Sequence, residues 1–156
     1  MKIQFKHNEA LENDIQVTIE AAEQTAAVQE LTTYLERYAK PDLLITDTQK
    51  VGHVVVQNMI VAITVIDDEL DIHLQNGQHI LVKDRLYKLL AQLNTDFIQI
   101  NKSAAINLFA LEKIKPTFGT TMIAVMQNHV QLSISRQYLP ALKQKLTEGQ
   151  PYGTTD

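Results

Sequence analysis

The sequence predicts a mainly β protein with a few short helices, α+β overall, and three observations carry that prediction. From Leu43 onward, runs rich in β-branched residues follow in quick succession: LLIT, HVVV, MIVAITVI, LDIHL and HILV. Such side chains fit a pleated, half-buried surface. Turn signals punctuate the runs, and Asn76-Gly77 is the strongest, because a tight primed hairpin turn needs positive φ at both of its positions. Helical spacing of apolar residues is confined to three short segments.

Taken in order, Ile3 to Phe5 and Ile15 to Ile19 alternate like short strands. In TAAVQELTTYLERYAK, Val28, Leu31, Leu35 and Tyr38 fall on one helical face, Thr25 is placed to cap it and Pro41 to end it. That stripe is expected to pack on the first strands, with a dimer-forming helix as the sharper reading. A boundary between Lys40 and His53 separates a small β-β-α extension (1–45) from a strand-rich domain (50–147), followed by a flexible tail (148–156). Asp67-Asp68-Glu69 reads as a polar turn. If Asn76 and Gly77 form the next loop, Leu74 faces His79 and His73 faces Ile80. KDRLYKLLAQLN is an amphipathic helix with Asp84 as its cap and Leu86, Leu89, Leu90 and Leu93 as its apolar face. A strand at Phe97 to Ile100, an apolar stretch at Ala104 to Leu111 and a hairpin turning at Gln127 and Asn128 follow. A last helix runs from Gln137 to Leu146, with Pro140 tolerated in its first turn.

The chain has 156 residues, 45% of them hydrophobic, enough for the core of one compact domain. Its net charge of −4 is not that of a typical polyanion binder, but the average hides an asymmetry. Residues 1–50 carry five Lys/Arg against nine Asp/Glu, whereas 97–147 carry Lys102, Lys113, Lys115, Arg136, Lys143 and Lys145 against Glu112 alone. That split suits a polyanion-binding module with an acidic partner segment. There is no cysteine, which excludes disulfide and thiolate chemistry. No apolar run approaches a membrane span and the N-terminus lacks the apolar core of a signal peptide, so a soluble cytoplasmic protein is expected, with no membrane insertion.

No catalytic set is legible, and a non-enzymatic protein without cofactor or metal is expected. Ser103, Ser133 and Ser135 lack the glycine-flanked turn of a hydrolase nucleophile. The five glycines build no phosphate loop. With the loop taken as Asn76-Gly77, His73 and His79 point to opposite faces, which removes the obvious two-histidine metal site. KPDLLITD looks like the strand that presents the phosphorylated aspartate of a response-regulator receiver. No acidic pair precedes it and β-hairpins follow it, so Asp47 is read as a turn residue.

Two segments carry cations and amides beside apolar strands. FIQINKSAAINL offers Asn101, Lys102, Ser103 and Asn107, and SISRQY offers Ser135, Arg136 and Gln137. Lysine and arginine neutralise phosphates, while arginine, asparagine and glutamine read base edges. No helical DNA reader fits, so contact is expected from loops and strand ends.

The pattern Phe-x-x-x-x-(Arg/Lys)-Ser-x-x-x-Asn-Leu, then a hairpin closing in Ser-Arg, resembles the LytTR (LytR/AlgR) DNA-binding domain. Phe97, Lys102, Ser103, Asn107, Leu108, Ser135 and Arg136 match it, with Leu111 and Ile114 in their expected places. The resemblance runs from about His53 to Leu146 and is to a small stand-alone member lacking a receiver domain. It implies an elongated antiparallel β core and a transcriptional regulator that inserts loops into successive major grooves of double-stranded promoter DNA, usually as a homodimer on paired sites. It further implies DNA contacts by Arg136 and Asn107, with Lys102 supplying charge and Ser103, Asn101 and Gln137 alongside. For Asn107 the residues themselves allow a turn-capping role equally well. Two departures stand out: the family often has His or Arg where this chain has Asn101, and the turn between its first two strands, a usual DNA contact, is here the acidic Asp67-Asp68-Glu69. The alternative is a LytTR-like protein-interaction module that has lost DNA affinity and binds a partner through its acidic extension.

Overall fold

The computed structural model describes residues 2–11, 15–38, 42–119 and 121–148. The elements are α1 (Ala26–Tyr38), β1 (Leu43–Thr46), β2 (Gly52–Val55), β3 (Ile60–Ile66), β4 (Glu69–Leu74), β5 (His79–Val82), α2 (Leu86–Gln92), β6 (Phe97–Asn101), β7 (Ala104–Asn107), β8 (Leu111–Pro116), β9 (Met122–Met126), β10 (Gln131–Ile134) and α3 (Leu139–Glu148). Single 3-10 turns lie at Glu9–Leu11, Gln57–Met59 and Leu108–Ala110. The fold is thus mainly β with short helices, as the run-and-turn pattern predicts.

A five-stranded antiparallel sheet, ordered β5-β4-β3-β7-β6, forms the middle layer. Side chains alternate faces along each strand, so this sheet supplies two cores. On one face Ile63, Leu70, Ile72, Ile80 and Phe97 meet Ile45 and Val55 of the β1–β2 hairpin and Leu86 and Leu89 of α2. On the other, Ala62, Ile100 and Ile106 meet Ala124, Met126 and Ile134 of the β10-β9-β8 sheet and Leu142 of α3. The hairpin is pinned at its turn, where Asp47 Oδ1 accepts from the Gln49 and Val51 amides (2.8 and 2.9 Å), Asp47 Oδ2 lies 2.8 Å from His53 Nε2, and the Thr48 amide donates to the Leu81 carbonyl of the sheet edge (2.9 Å). Asp47 is the turn residue its sequence context predicts.

Helix α1 starts as expected, with the Val28 amide on Thr25 Oγ1. It meets the domain through Tyr34, whose ring sits edge-on to Phe109 at 5.8 Å. The two strands expected at Ile3 to Phe5 and Ile15 to Ile19 are absent from the described residues, and Ile3, Phe5 and Ile15 are almost fully exposed. A short two-stranded ribbon is marginal alone. The helix end at Pro41 and the tail beyond Glu148 lie outside the described residues. Helix α2 buries the predicted leucine face, but Asp84 does not cap it: the carboxylate takes the Arg85 amide (2.8 Å), and Arg85 is the N-cap. Pro140 falls in the first turn of α3, as its missing N–H requires.

The polar turn expected at Asp67-Asp68 is present, and the loop expected at Asn76-Gly77 is one residue longer than expected. Asp67 and Asp68 both have positive φ (49° and 64°) and close β3–β4 as a two-residue primed turn. At Asn76-Gly77 only Gly77 does (φ 85°). The Gly77 amide donates to the Leu74 carbonyl (3.0 Å) and the Leu74 amide to the Gln78 carbonyl (2.9 Å), so the loop is three residues, Gln75 to Gly77. Pairing therefore shifts by one residue, and His73 faces His79 rather than Ile80. A one-residue slip flips every side chain to the other face, so His73 and His79 share a face and their ring centroids lie 4.5 Å apart. The Gln127–His129 turn repeats this geometry with His129 at φ 70° in place of glycine.

Two predictions follow from these turns. A side chain in the left-handed region costs about 1–2 kcal/mol. Gly77→Ala should therefore lower unfolding stability by roughly that much and His129→Gly should raise it by somewhat less, as read from urea midpoints. The hydrogen bond to His53, aided by the Val51 and Gln49 amides, holds the Asp47 carboxyl below its ordinary value of 3.8. A depressed folded-state value means that the turn's stabilisation is full above the unfolded value and is lost as pH falls through the folded one. The Asp47 carboxyl resonance should titrate below 3.8 by NMR and move up toward that value in His53→Ala.

Candidate nucleic-acid interface

The two polar segments meet through a defect in the sheet. Between Gln99 and Asn101 the β6–β7 register slips, leaving Ile100 out of the ladder. A bulge of this kind frees backbone groups and bends the strand. The Ile100 carbonyl takes the Ser135 amide (2.9 Å), while Asn101 Nδ2 donates to the Ser133 carbonyl (2.8 Å). Asn101 Oδ1 accepts from the Ser103 amide (2.7 Å) and shapes the turn that carries Lys102. The Asn101-Lys102-Ser103 turn and the Ser135-Arg136-Gln137 loop therefore form one edge, although 32 residues separate the bonded Asn101 and Ser133.

On that edge Lys102, Ser103, Arg136 and Gln137 are exposed and Asn101 is partly so. Arg136 sits between β10 and α3, in a turn closed by the Tyr138 and Leu139 amides on the Ser135 carbonyl. Asn107 departs from the expectation of a projecting DNA contact. It is 1% exposed, its Nδ2 donates to the Ile60 carbonyl (2.9 Å) and its Oδ1 accepts from the Phe109 amide (3.1 Å), capping the 3-10 turn at Leu108–Ala110. Both ends of its amide are spent inside the protein, so Asn107 is a scaffold residue. Lys145, one of the cations of the basic C-terminal third, donates to the Thr95 carbonyl (3.2 Å).

Strand register identifies further neighbours. Pro116 pairs with Met122 and Met122 with Ile134, so the 117–119 loop lies at the Arg136 end of its sheet, with Phe118 fully exposed there. Val65 donates to the Ser103 carbonyl (2.8 Å), which places the Asp67-Asp68 turn beside the Lys102 turn. Leu70 pairs with Val82, so the exposed Lys83 and Arg85 leave the same end of the sheet. The sequence signals for these residues were single charges or a lone Phe-Gly, meaningless until pairing brings the loops together.

A family model described as the LytTr DNA-binding domain matches residues 52–147. The sensory transduction protein LytR of Streptococcus mutans is 32% identical over 89 residues, 56% of this chain and 36% of that protein. An uncharacterised HTH-type transcriptional regulator of Staphylococcus aureus is 28% identical over 140 residues, 88% of this chain and 93% of that protein. The chain spans less than half the length of the LytR proteins it matches. Among solved structures, the LytTr domain of a methyl-accepting/DNA response regulator from Bacillus cereus shares the fold, with a TM-score of 0.60 and 18% identity over 69% of this chain and 98% of that one. No helix among the described residues is long and apolar enough to cross a membrane.

Removing the Asn107 amide leaves the buried Ile60 carbonyl without its partner, at about 1–3 kcal/mol, and the part-buried Phe109 N–H without its cap, at a smaller cost of about 1 kcal/mol. Asn107→Ala should therefore lower the urea midpoint by the equivalent of about 2–4 kcal/mol in the absence of any ligand. A neutral effect on stability would return Asn107 to the list of surface contacts.

Proposed function

The chain belongs to the LytTR DNA-binding domain family, and from that premise we propose that it is a sequence-specific DNA-binding transcriptional regulator that reads DNA with loops rather than with a recognition helix. The observation that carries this reading is the joined edge: the bulged Ile100 and the Asn101 amide hold the Lys102 and Arg136 loops side by side. Lys102 on a turn tip supplies phosphate neutralisation, and Arg136, placed where a side chain projects from a rigid strand end, offers bidentate recognition of guanine. Ser103, Asn101 and Gln137 line the same edge. Asn107 acts from behind it, by holding β7 to β3. Major-groove insertion, binding as a homodimer to paired sites, cytoplasmic location and the division into a 1–45 extension and a 50–147 domain belong to the same proposal.

One observation favours a second reading. The exposed Asp67-Asp68 turn stands beside the Lys102 turn, where it repels phosphate. A protein-interaction module with a lost DNA affinity would carry that feature without cost.

Fluorescence anisotropy with DNA from upstream of the protein's own gene separates the two. Binding should weaken steeply with salt. Arg136→Ala should cost about 1–3 kcal/mol and relax sequence preference, whereas Lys102→Ala should weaken all sequences alike and reduce the salt slope by about one. Asp67→Asn with Asp68→Asn should tighten binding at low salt. Absence of binding by folded protein at low salt would overturn the regulator reading.

A further inference from the structure

The geometry points to a metal site for a divalent late transition ion, formed by Asp71, His73 and His79 on the β4–β5 hairpin, and this reading is independent of DNA binding. The three-residue loop at Gln75 to Gly77 sets His73 opposite His79, and strand alternation puts Asp71 on the same face. His79 Nδ1 lies 3.0 Å from both Asp71 carboxylate oxygens, and His73 Nε2 lies 3.6 Å from Asp71 Oδ2. One ligand atom from each of the three falls within 4.8 Å of the others. A metal with bonds of 2.0–2.2 Å to nitrogen and oxygen keeps neighbouring ligand atoms about 3–3.5 Å apart. Two edges of the cluster already match that spacing, and the third closes by a side-chain adjustment.

The donor set selects the ion. Two imidazoles and one carboxylate suit zinc, cobalt or nickel, while calcium and magnesium prefer oxygen shells. The Asp71 and His73 side chains are only 11% and 12% exposed, so the sheet holds them, while His79 at 51% leaves an open side for ion entry and for water as a fourth ligand. His73 Nε2, the nitrogen near Asp71, also lies 2.9 Å from Thr64 Oγ1, so an ion at the site replaces that hydroxyl contact, while His73 Nδ1 is buried with no hydrogen-bond partner. A proton shared within the cluster is the competing occupant, and metal titration distinguishes the two.

The full chain, free of any polyhistidine tag, should be titrated with Zn²⁺ by calorimetry at pH 7.5, with Co²⁺ absorption as a second probe. One equivalent should bind, and the thermal midpoint should rise with zinc. His79→Ala removes a half-exposed ring and should fold normally by circular dichroism. It should weaken zinc at least about tenfold and abolish the thermal shift. Asp71→Asn should weaken zinc similarly, while Arg136→Ala should bind it like wild type. No saturable binding by the wild type would overturn the proposal. So would binding that His79→Ala and Asp71→Asn both leave unchanged, since the ion would then sit on other groups.

Discussion

The bulge at Ile100 is the constraint on which the working edge depends. A regular ladder would use the Ile100 carbonyl within the five-stranded sheet. Slipping the register by one residue releases it to take the Ser135 amide, while the neighbouring Asn101 side chain takes the Ser133 carbonyl. Two backbone acceptors thus tie the central sheet to the smaller one at the point where both strands turn. Ile100 itself is fully buried in the core that the two sheets share. One defect therefore serves packing and presentation together, which is the usual use of a bulge.

Behind that edge, a buried amide does the work of a strut. Asn107 links β7 to the Ile60 carbonyl of β3 and caps the turn into β8. The energetic argument is asymmetric: such bonds contribute modestly when made, but leaving their partners buried and unmade is expensive. A residue of this kind persists in a motif for the same reason as a DNA contact would, and residue identity alone does not separate the two roles.

Turn chemistry governs both ends of the central hairpin strands. The primed two-residue turn falls on Asp67-Asp68, and Asn76-Gly77 belongs to a three-residue loop. The energetic difference between such turns is small, yet its consequence is binary, because side-chain direction has a period of two. His73 and His79 move from opposite faces to the same face. Pairing of β3 with β7 puts Asp67 and Asp68 next to a basic turn, an arrangement that tempers phosphate attraction at close range.

Strand-forming runs, the three helices, the leucine face of α2, the Thr25 cap and the position of Pro140 were all legible in the residues themselves, because each depends on local spacing, propensity or a missing N–H. The family resemblance was equally legible, since it rests on two motifs at a set separation. What stayed hidden depends on pairing. The short alternations at Ile3 to Phe5 and Ile15 to Ile19 carry the period of a strand but form none among the described residues. Asn107 looks polar and available until β3 covers it. The Asp71–His73–His79 cluster and the meeting of Lys102 with Arg136 follow from hydrogen-bond register, a relation between distant strands. Local sequence determined which segments form strands and helices and which polar residues exist to be used. Only tertiary structure decided which of them share a face or an edge, because register is set by the closing of turns and the burial of one sheet face against another.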